Sequence, residues 1–241
     1  MVRVLASRES LGHHSTVADE SSSRDIQRDS YDRVAERYAA EISSELDGKP
    51  LDRSLLAAVA ELAGPGPVAD IGCGPGHVAA HLGAGGAPVI GLDLSFQMCR
   101  VAFQHANVPA AVGDMRMLPL ASESVAAIVC LYACIHLDTS ERSSAYQEFA
   151  RVLRPGGPAL VAFHVFDEDT SVGDTKTVTR WWDHDVRVTF RFLDPASELD
   201  VLARVGLEFV ARLDRAPHVG REHPSSRSYL LVRRPTSRTS P

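Results

Sequence analysis

Asp70, Gly72, Gly74 and Gly76 stand at alternate positions in the stretch Val68-Ala69-Asp70-Ile71-Gly72-Cys73-Gly74-Pro75-Gly76-His77. A short apolar run that enters a glycine-rich turn and leaves as a helix, here to Leu82, reads as a buried strand whose end opens a ligand site. Glycine lets backbone approach a bound molecule, and the helix start beyond it offers unpaired N–H groups. Dinucleotide-binding turns space their glycines G-x-G-x-x-G and aim them at a pyrophosphate. The spacing here is Gly-x-Gly-x-Gly, and the carboxylate of Asp70 precedes it. An acid at that strand end repels a diphosphate and suits a ligand carrying an ammonium group.

Two further acids follow short apolar runs. Asp93 closes Pro88-Val89-Ile90-Gly91-Leu92, 17 residues beyond Gly76, where a carboxylate accepts hydrogen bonds from both hydroxyls of a ribose. Asp114 lies in Gly113-Asp114-Met115, after Ala110-Ala111-Val112, placed to accept from an exocyclic amine such as that of adenine. Ser95 caps the next helix, and its Met98 is either core or one wall of an adenine slot. A nucleoside with a cationic amino-acid tail, such as S-adenosylmethionine, answers to all three acids. For proton transfer the sequence offers His136, just past a fourth apolar run Val125 to Leu131, and His184, in an irregular polar segment from Asp167 to Asp185. Histidine exchanges protons near neutral pH. Trp181-Trp182 suggests a flat aromatic or indole-like substrate, with a hydrophobic clamp on the sheet edge as the alternative.

The elements that must position these residues alternate between short apolar runs and helical patterns, the signature of an α/β sheet covered on both faces. Before the glycine turn, Tyr31, Val34, Ala35, Tyr38 and Ile42 fall at helical spacing, with Ser30 as a possible N-cap. Tyr31 and Tyr38 share a face that could cover the ligand. A second helix runs from about Leu51 to Leu62. Beyond the fourth run come a helix from Glu141 to Leu153, a stop at Arg154-Pro155-Gly156-Gly157, a strand Ala159 to Val165, a helix opened by Asp194-Pro195, and strands Phe209 to Leu213 and Ser228 to Val232.

A chain of 241 residues, 44% hydrophobic and 23% charged, fits one globular domain. Residues 1–24 are expected to be a disordered leader, 25–63 a helical lid and 64–241 the core. A net charge of -6 argues against a partner held by its phosphates, hence no nucleic acid. No run reaches the ~18 apolar residues of a membrane span, and a secretory signal pattern is missing. The expectation is a cytoplasmic monomer or homodimer. Cys73, Cys99, Cys130 and Cys134 form no CxxC pair and read as reduced and buried. Ten histidines, His13-His14 among them, show no ligand spacing, so no metal is expected.

Taken together, Val68 to Gly76, Gly91-Leu92-Asp93-Leu94-Ser95 with Met98, Gly113-Asp114-Met115, Leu131 to His136 and Arg154-Pro155-Gly156-Gly157 resemble the class I S-adenosylmethionine-dependent methyltransferases. The resemblance covers about residues 30 to 233, and Tyr31-Asp32-x-Val34-Ala35-x-x-Tyr38 looks like the lid of their small-molecule branch. It implies a Rossmann-like three-layer sandwich with a seven-stranded, mostly parallel sheet whose last strand is antiparallel. It also implies methyl transfer to a nitrogen, oxygen or carbon of a small molecule. The cofactor residues it implies are Tyr38, Asp70, Gly72, Cys73, Gly74, Asp93, Leu94, Met98, Gly113, Asp114, Met115 and Leu131. Tyr31, Tyr38, His136 and His184 are the candidate catalytic groups. Tyr132-Ala133-Cys134 and the tryptophan pair depart from the generic pattern and leave the acceptor open. A catalytically silent S-adenosylmethionine-binding sensor is the alternative function.

Overall fold

The computed structural model describes residues 17–236, with side chains from residue 23. Five strands run parallel at its centre: β1 (Val68–Ile71), β2 (Val89–Asp93), β3 (Ala110–Val112), β4 (Ala127–Leu131) and β5 (Pro158–Asp167). β1 is buried along its whole length and β4 over its first four residues, because helices cover both faces and leave no polar side to alternate with. Two strands complete a seven-stranded sheet of order β3-β2-β1-β4-β5-β9-β8: β8 (Glu208–Arg215) and the last strand, β9 (Ser225–Arg233), antiparallel to both its neighbours. The expected sheet and its one reversed strand are both present.

The parallel strands end on one rim, where β1, β2, β3 and β4 deliver Gly72, Asp93, Gly113 and Leu131. The covering helices are α2 (Pro50–Ala63), α3 (His77–Ala84), α4 (Phe96–Ala106), α5 (Thr139–Val152) and α6 (Pro195–Arg204). Ser95 caps α4, its Oγ accepting from Met98 N at 3.0 Å. Gly72 holds φ at 72°, and a Cβ there would sit 2.2 Å from that of Ala133, so the β1 turn and the exit of β4 abut where only glycine fits.

Two expectations are corrected. Ser30 is no N-cap: α1 runs from Val17 to Ile42, so residues 17–24 of the expected leader are its first turns, while residues 1–16, with His13 and His14, lie outside the described residues. Ser30 Oγ donates to Ile26 O at 2.7 Å and accepts from Arg187 N at 2.8 Å, which ties mid-helix to a second element. That element is the other correction. Much of the supposedly irregular segment 167–185 is β6 (Thr175–Trp181), which pairs with β7 (His184–Arg191) in a two-stranded ribbon. Val186, Val188 and Phe190 keep the period of two, but the turn that marks a hairpin is made by Trp182 at φ 53°, where Gly or Asn is the usual signal. α1 lies against this ribbon through Val34, Val186 and Val188 and against α4 through Ala35, Ala39 and Met98.

Candidate active site

The rim, α1 and the ribbon enclose a cleft of about 1490 Å³. One small ligand fills roughly 300–1,000 Å³, so there is room for two molecules.

All twelve expected cofactor residues line this cleft. The Asp93 carboxylate is aimed by the backbone: Oδ2 accepts from Gly74 N at 2.9 Å and Oδ1 from Ser95 N at 2.8 Å. Burial raises its pKa against those bonds. A Cβ on Gly74 would meet nothing within 4 Å, so its backbone faces open cleft. Cys73 instead packs into the space that Gly91 leaves free. Asp70 is 2% exposed, and its Oδ2 has no hydrogen-bond partner. Burial, and then the neighbouring Asp93 charge, push the Asp70 pKa up to about 7, against the opposing pull of His77. A buried carboxylate with one oxygen unpartnered asks for a cation, and the ammonium of S-adenosylmethionine is one. Asp114 is tied to Arg116 and to Arg24 of α1, at 2.9 and 3.1 Å, which hold its pKa low against burial. Met98 is both core and cleft wall, 1% exposed.

The raised Asp70 pKa gives a pH signature. Below pH 7 the native carboxyl is largely protonated, and a cationic ligand must displace that proton. S-adenosylmethionine affinity therefore rises up to about tenfold per pH unit between pH 5 and 7 and then levels off, and Asp70→Asn flattens the curve while weakening binding at pH 8. Calorimetry across that range checks it.

The other half of the cleft lies above β4, β5 and β9 under α1 and the ribbon. There the structure brings Tyr31, Tyr38 and His136 together. His136 Nδ1 lies 2.7 Å from Thr189 O, and a carbonyl only accepts, so Nδ1 carries the proton and Nε2 presents its lone pair to the Tyr31 hydroxyl at 2.9 Å. Burial holds the imidazole neutral by lowering its pKa to about 4. Tyr31 packs edge-on against Tyr38 and Trp181, both at 6.0 Å, and Trp181 stacks on Trp182 at 5.1 Å. His184 is not brought in. It is exposed at the hairpin turn, paired with Trp181 in the ribbon register, and does not line the cleft.

Sequence reading missed Thr189 and Phe190 on β7, His164 on β5, and the buried Lys49, Glu222 and Arg227. Only the His- and Arg-rich composition of residues 215–227 hinted at the last two. All four cysteines are buried and unpaired. Among the described residues no group of three or more His, Cys, Asp or Glu could hold a metal ion, and no helix is long and apolar enough to cross a membrane.

This rim, with an acid at the end of each of its first two strands and a glycine turn between them, suits a nucleoside with a cationic tail, and the comparisons point to the methyltransferases. Residues 68–157 match the methyltransferase domain family. The chain is 36% identical over 141 residues to the ubiquinone/menaquinone biosynthesis C-methyltransferase UbiE of Syntrophotalea carbinolica, covering 54% of this chain and 58% of that one. It is 31% identical over 196 residues to a malonyl-[acyl-carrier protein] O-methyltransferase of Methylovorus sp., covering 74% and 62%. It thus spans about three-fifths of the length of these relatives. An S-adenosylmethionine-dependent methyltransferase from Methanosarcina mazei shares the fold with a TM-score of 0.64 at 16% identity, over 72% of this chain and 94% of that one. Residues 68–157 thus belong to the methyltransferase domain family, and these likenesses support a class I S-adenosylmethionine-dependent methyltransferase with S-adenosylmethionine as its cofactor.

Proposed function

We propose that the protein transfers the methyl group of S-adenosylmethionine to a nucleophilic nitrogen, oxygen or carbon of a small molecule. The observation that carries this reading is the cleft that joins the unpartnered Asp70 Oδ2 and the open Gly74 turn to the Tyr31–His136 pair. Bound S-adenosylmethionine would supply an electrophilic methyl on a sulfonium, which an aligned nucleophile would take in line, with S-adenosylhomocysteine as the leaving group. Asp70 holds the ammonium and Asp93 the ribose hydroxyls. The faces and hydroxyl oxygens of Tyr31 and Tyr38 favour a cation beside them, and with the ribbon they exclude water. His136 Nε2 accepts the acceptor's proton through the Tyr31 hydroxyl that it already bonds. Trp181 and Phe190 offer flat apolar faces, which suits an aromatic acceptor of secondary metabolism. The net charge of -6 supports a small molecule over nucleic acid, and we place the enzyme in the cytoplasm as a monomer or homodimer.

Thermal shift tests the cofactor. S-adenosylmethionine and S-adenosylhomocysteine raise stability by about 2.7 kcal/mol at a hundredfold excess over Kd, and NAD leaves it unchanged. Equal stabilisation by NAD overturns the reading.

The proton path has its own expected result. His136→Gln lowers kcat about 10²-fold or more, the typical scale of general base catalysis, with cofactor Kd unchanged because the imidazole bonds Tyr31 and Thr189. Since the base stays unprotonated down to about pH 4, the wild-type kcat at saturating S-adenosylmethionine shows no step near pH 6.5. Its depressed pKa also has a stability consequence: the native state binds fewer protons than the unfolded one between pH 4 and 6.5, so this contribution is full above pH 6.5 and lost as pH falls to 4. A variant that turns over at the wild-type rate from pH 6 to 9 removes His136 from the chemistry.

A further inference from the structure

The strand order splits the cleft. Asp70 and Asp93 sit over β1 and β2, which leaves the rim of β4, β5 and β9 to the acceptor, and three residues meet there that the mechanism above does not use. His164 on β5 stands opposite Arg227 on β9 in the sheet register. Tyr132, at the exit of β4, stacks on His164 with ring centroids 5.0 Å apart. The Arg227 guanidinium lies 5.6 Å and the Lys49 ammonium 5.8 Å from the Tyr132 ring centre. Tyr132 holds φ at 58°, a left-handed conformation that is costly for a bulky residue. The strain is held by the close approach of Ala133 to Gly72 on one side, and on the other by a chain in which Tyr132 bonds the Tyr229 hydroxyl and Tyr229 donates to Asp52 Oδ1 at 2.6 Å.

The fully buried charges behind this ring are unequal in number. Lys49, Arg215 and Arg227 all reach Glu222, and Arg215 also pairs with Asp52. None of these five side chains is more than 5% exposed, so three cations face two anions out of water. The acid that completes the set, Glu45, is at the edge, 24% exposed and shared between Lys49 and His77. Asp167, beyond His164, is already held by His223 at 3.0 Å and lies 3.8 Å from Lys176. Arg227 donates to the carbonyls of Ser225 and His223, yet its Nε is buried with no partner. Burial, and then Arg227, His223 and Lys49, lower the His164 pKa, opposed by Glu222. A buried guanidinium with an unused N–H is costly unless an acceptor, best an anion, meets it. Phe192 packs 6.2 Å from His164, and Phe190 two residues before it on the chain packs 5.1 Å from His136, so apolar rings join this corner to the proton-accepting pair.

We propose that the methyl acceptor is an acid, whose carboxylate or phosphate group binds Arg227 and Lys49 beside Tyr132 and His164 while its apolar body lies along Phe190 and Phe192. This rests on the methyltransferase reading and assigns the acceptor half a substrate class. Guanidinium takes a planar anion in two parallel bonds, and Tyr132 gives the anion a flat wall.

The chain's two tryptophans, Trp181 and Trp182, both line the cleft, so their fluorescence reports its occupancy in the full-length protein. Saturating the protein with S-adenosylhomocysteine and titrating 4-hydroxybenzoate, its neutral amide and phenyl phosphate reads the preference directly. An acid binds at least about tenfold more tightly than the amide, the scale of one charge-assisted hydrogen bond, and the ratio of carboxylate to phosphate says which anion the corner fits. Arg227→Gln removes the preference and Arg227→Lys keeps part of it, with S-adenosylhomocysteine Kd unchanged in both. Equal binding of acid and amide by the wild type, or no binding of either at millimolar concentration, overturns the proposal even should the variants fail to fold. A folded Arg227→Gln protein that keeps the preference overturns it too. Failure of the wild type to bind S-adenosylhomocysteine is a different outcome, since it overturns the methyltransferase reading itself.

Discussion

Asp93→Ala weakens S-adenosylmethionine binding by about 10²- to 10⁴-fold. The reasoning starts from two ribose hydroxyls, each losing a charge-assisted hydrogen bond of about 1.5–3 kcal/mol. The carboxylate also anchors the site, because Gly74 N and Ser95 N both donate to it, so its loss frees the turn that faces the ligand. Asp93→Asn falls short of the wild type as well, since one amide oxygen cannot accept from both backbone groups and from the ligand. Gly74→Val is worse than either. Its side chain would project into open cleft from a residue at φ 52°, where a β-branched residue is strained. Calorimetry on variants with native circular dichroism measures all three. Unchanged affinity in both Asp93→Ala and Gly74→Val moves the cofactor elsewhere.

Deleting residues 1–45 abolishes turnover, by more than about 10³-fold, whereas deleting residues 1–24 leaves it within a few-fold. The short deletion removes Arg24, whose ion pair with Asp114 is 40% exposed on the arginine side; such pairs contribute about 0–1 kcal/mol. The long one removes Tyr31 and Tyr38 from the cleft. It also removes Ser30, which accepts from Arg187 N on β7, and Asp32, whose Oδ1 accepts from Ser95 Oγ and Gln97 N at the start of α4. Losing α1 thus opens the cleft to water and unties the ribbon that holds His136 through Thr189. Radiolabelled methyl transfer compared with thermal melts separates the effects. Activity that survives the long deletion shows that α1 only packs.

The glycine-turn half of the cleft was legible because its sequence pattern is local. Asp70, the alternating glycines and Asp93 lie at or just past the ends of two consecutive parallel strands, and such ends meet on one rim whatever the rest of the chain does. Tyr31, Tyr38 and His136 were legible for the same kind of reason: helical spacing in the first two, a strand end in the third. The ribbon was hidden because Trp182 makes its turn without glycine. His184 misled in consequence, since the hairpin sends it outward at the tip and carries Thr189, Phe190 and Phe192 into the cleft instead.

By itself, then, the order of apolar runs, glycines and acids determined an α/β sheet, its rim and the glycine turn that opens on the cleft. Periodicity and strand-end position are properties of neighbouring residues. Only the tertiary structure decided the other half of the cleft. It pairs Tyr31 with His136 across 105 residues, stacks Tyr132 on His164 from different strands, and gathers Lys49, Asp52, Arg215, Glu222 and Arg227 from elements far apart in the chain. The charge balance of that corner depends on which of these side chains lose water together, and burial on that scale is set by the packing of α2, β5, β8 and β9 around them.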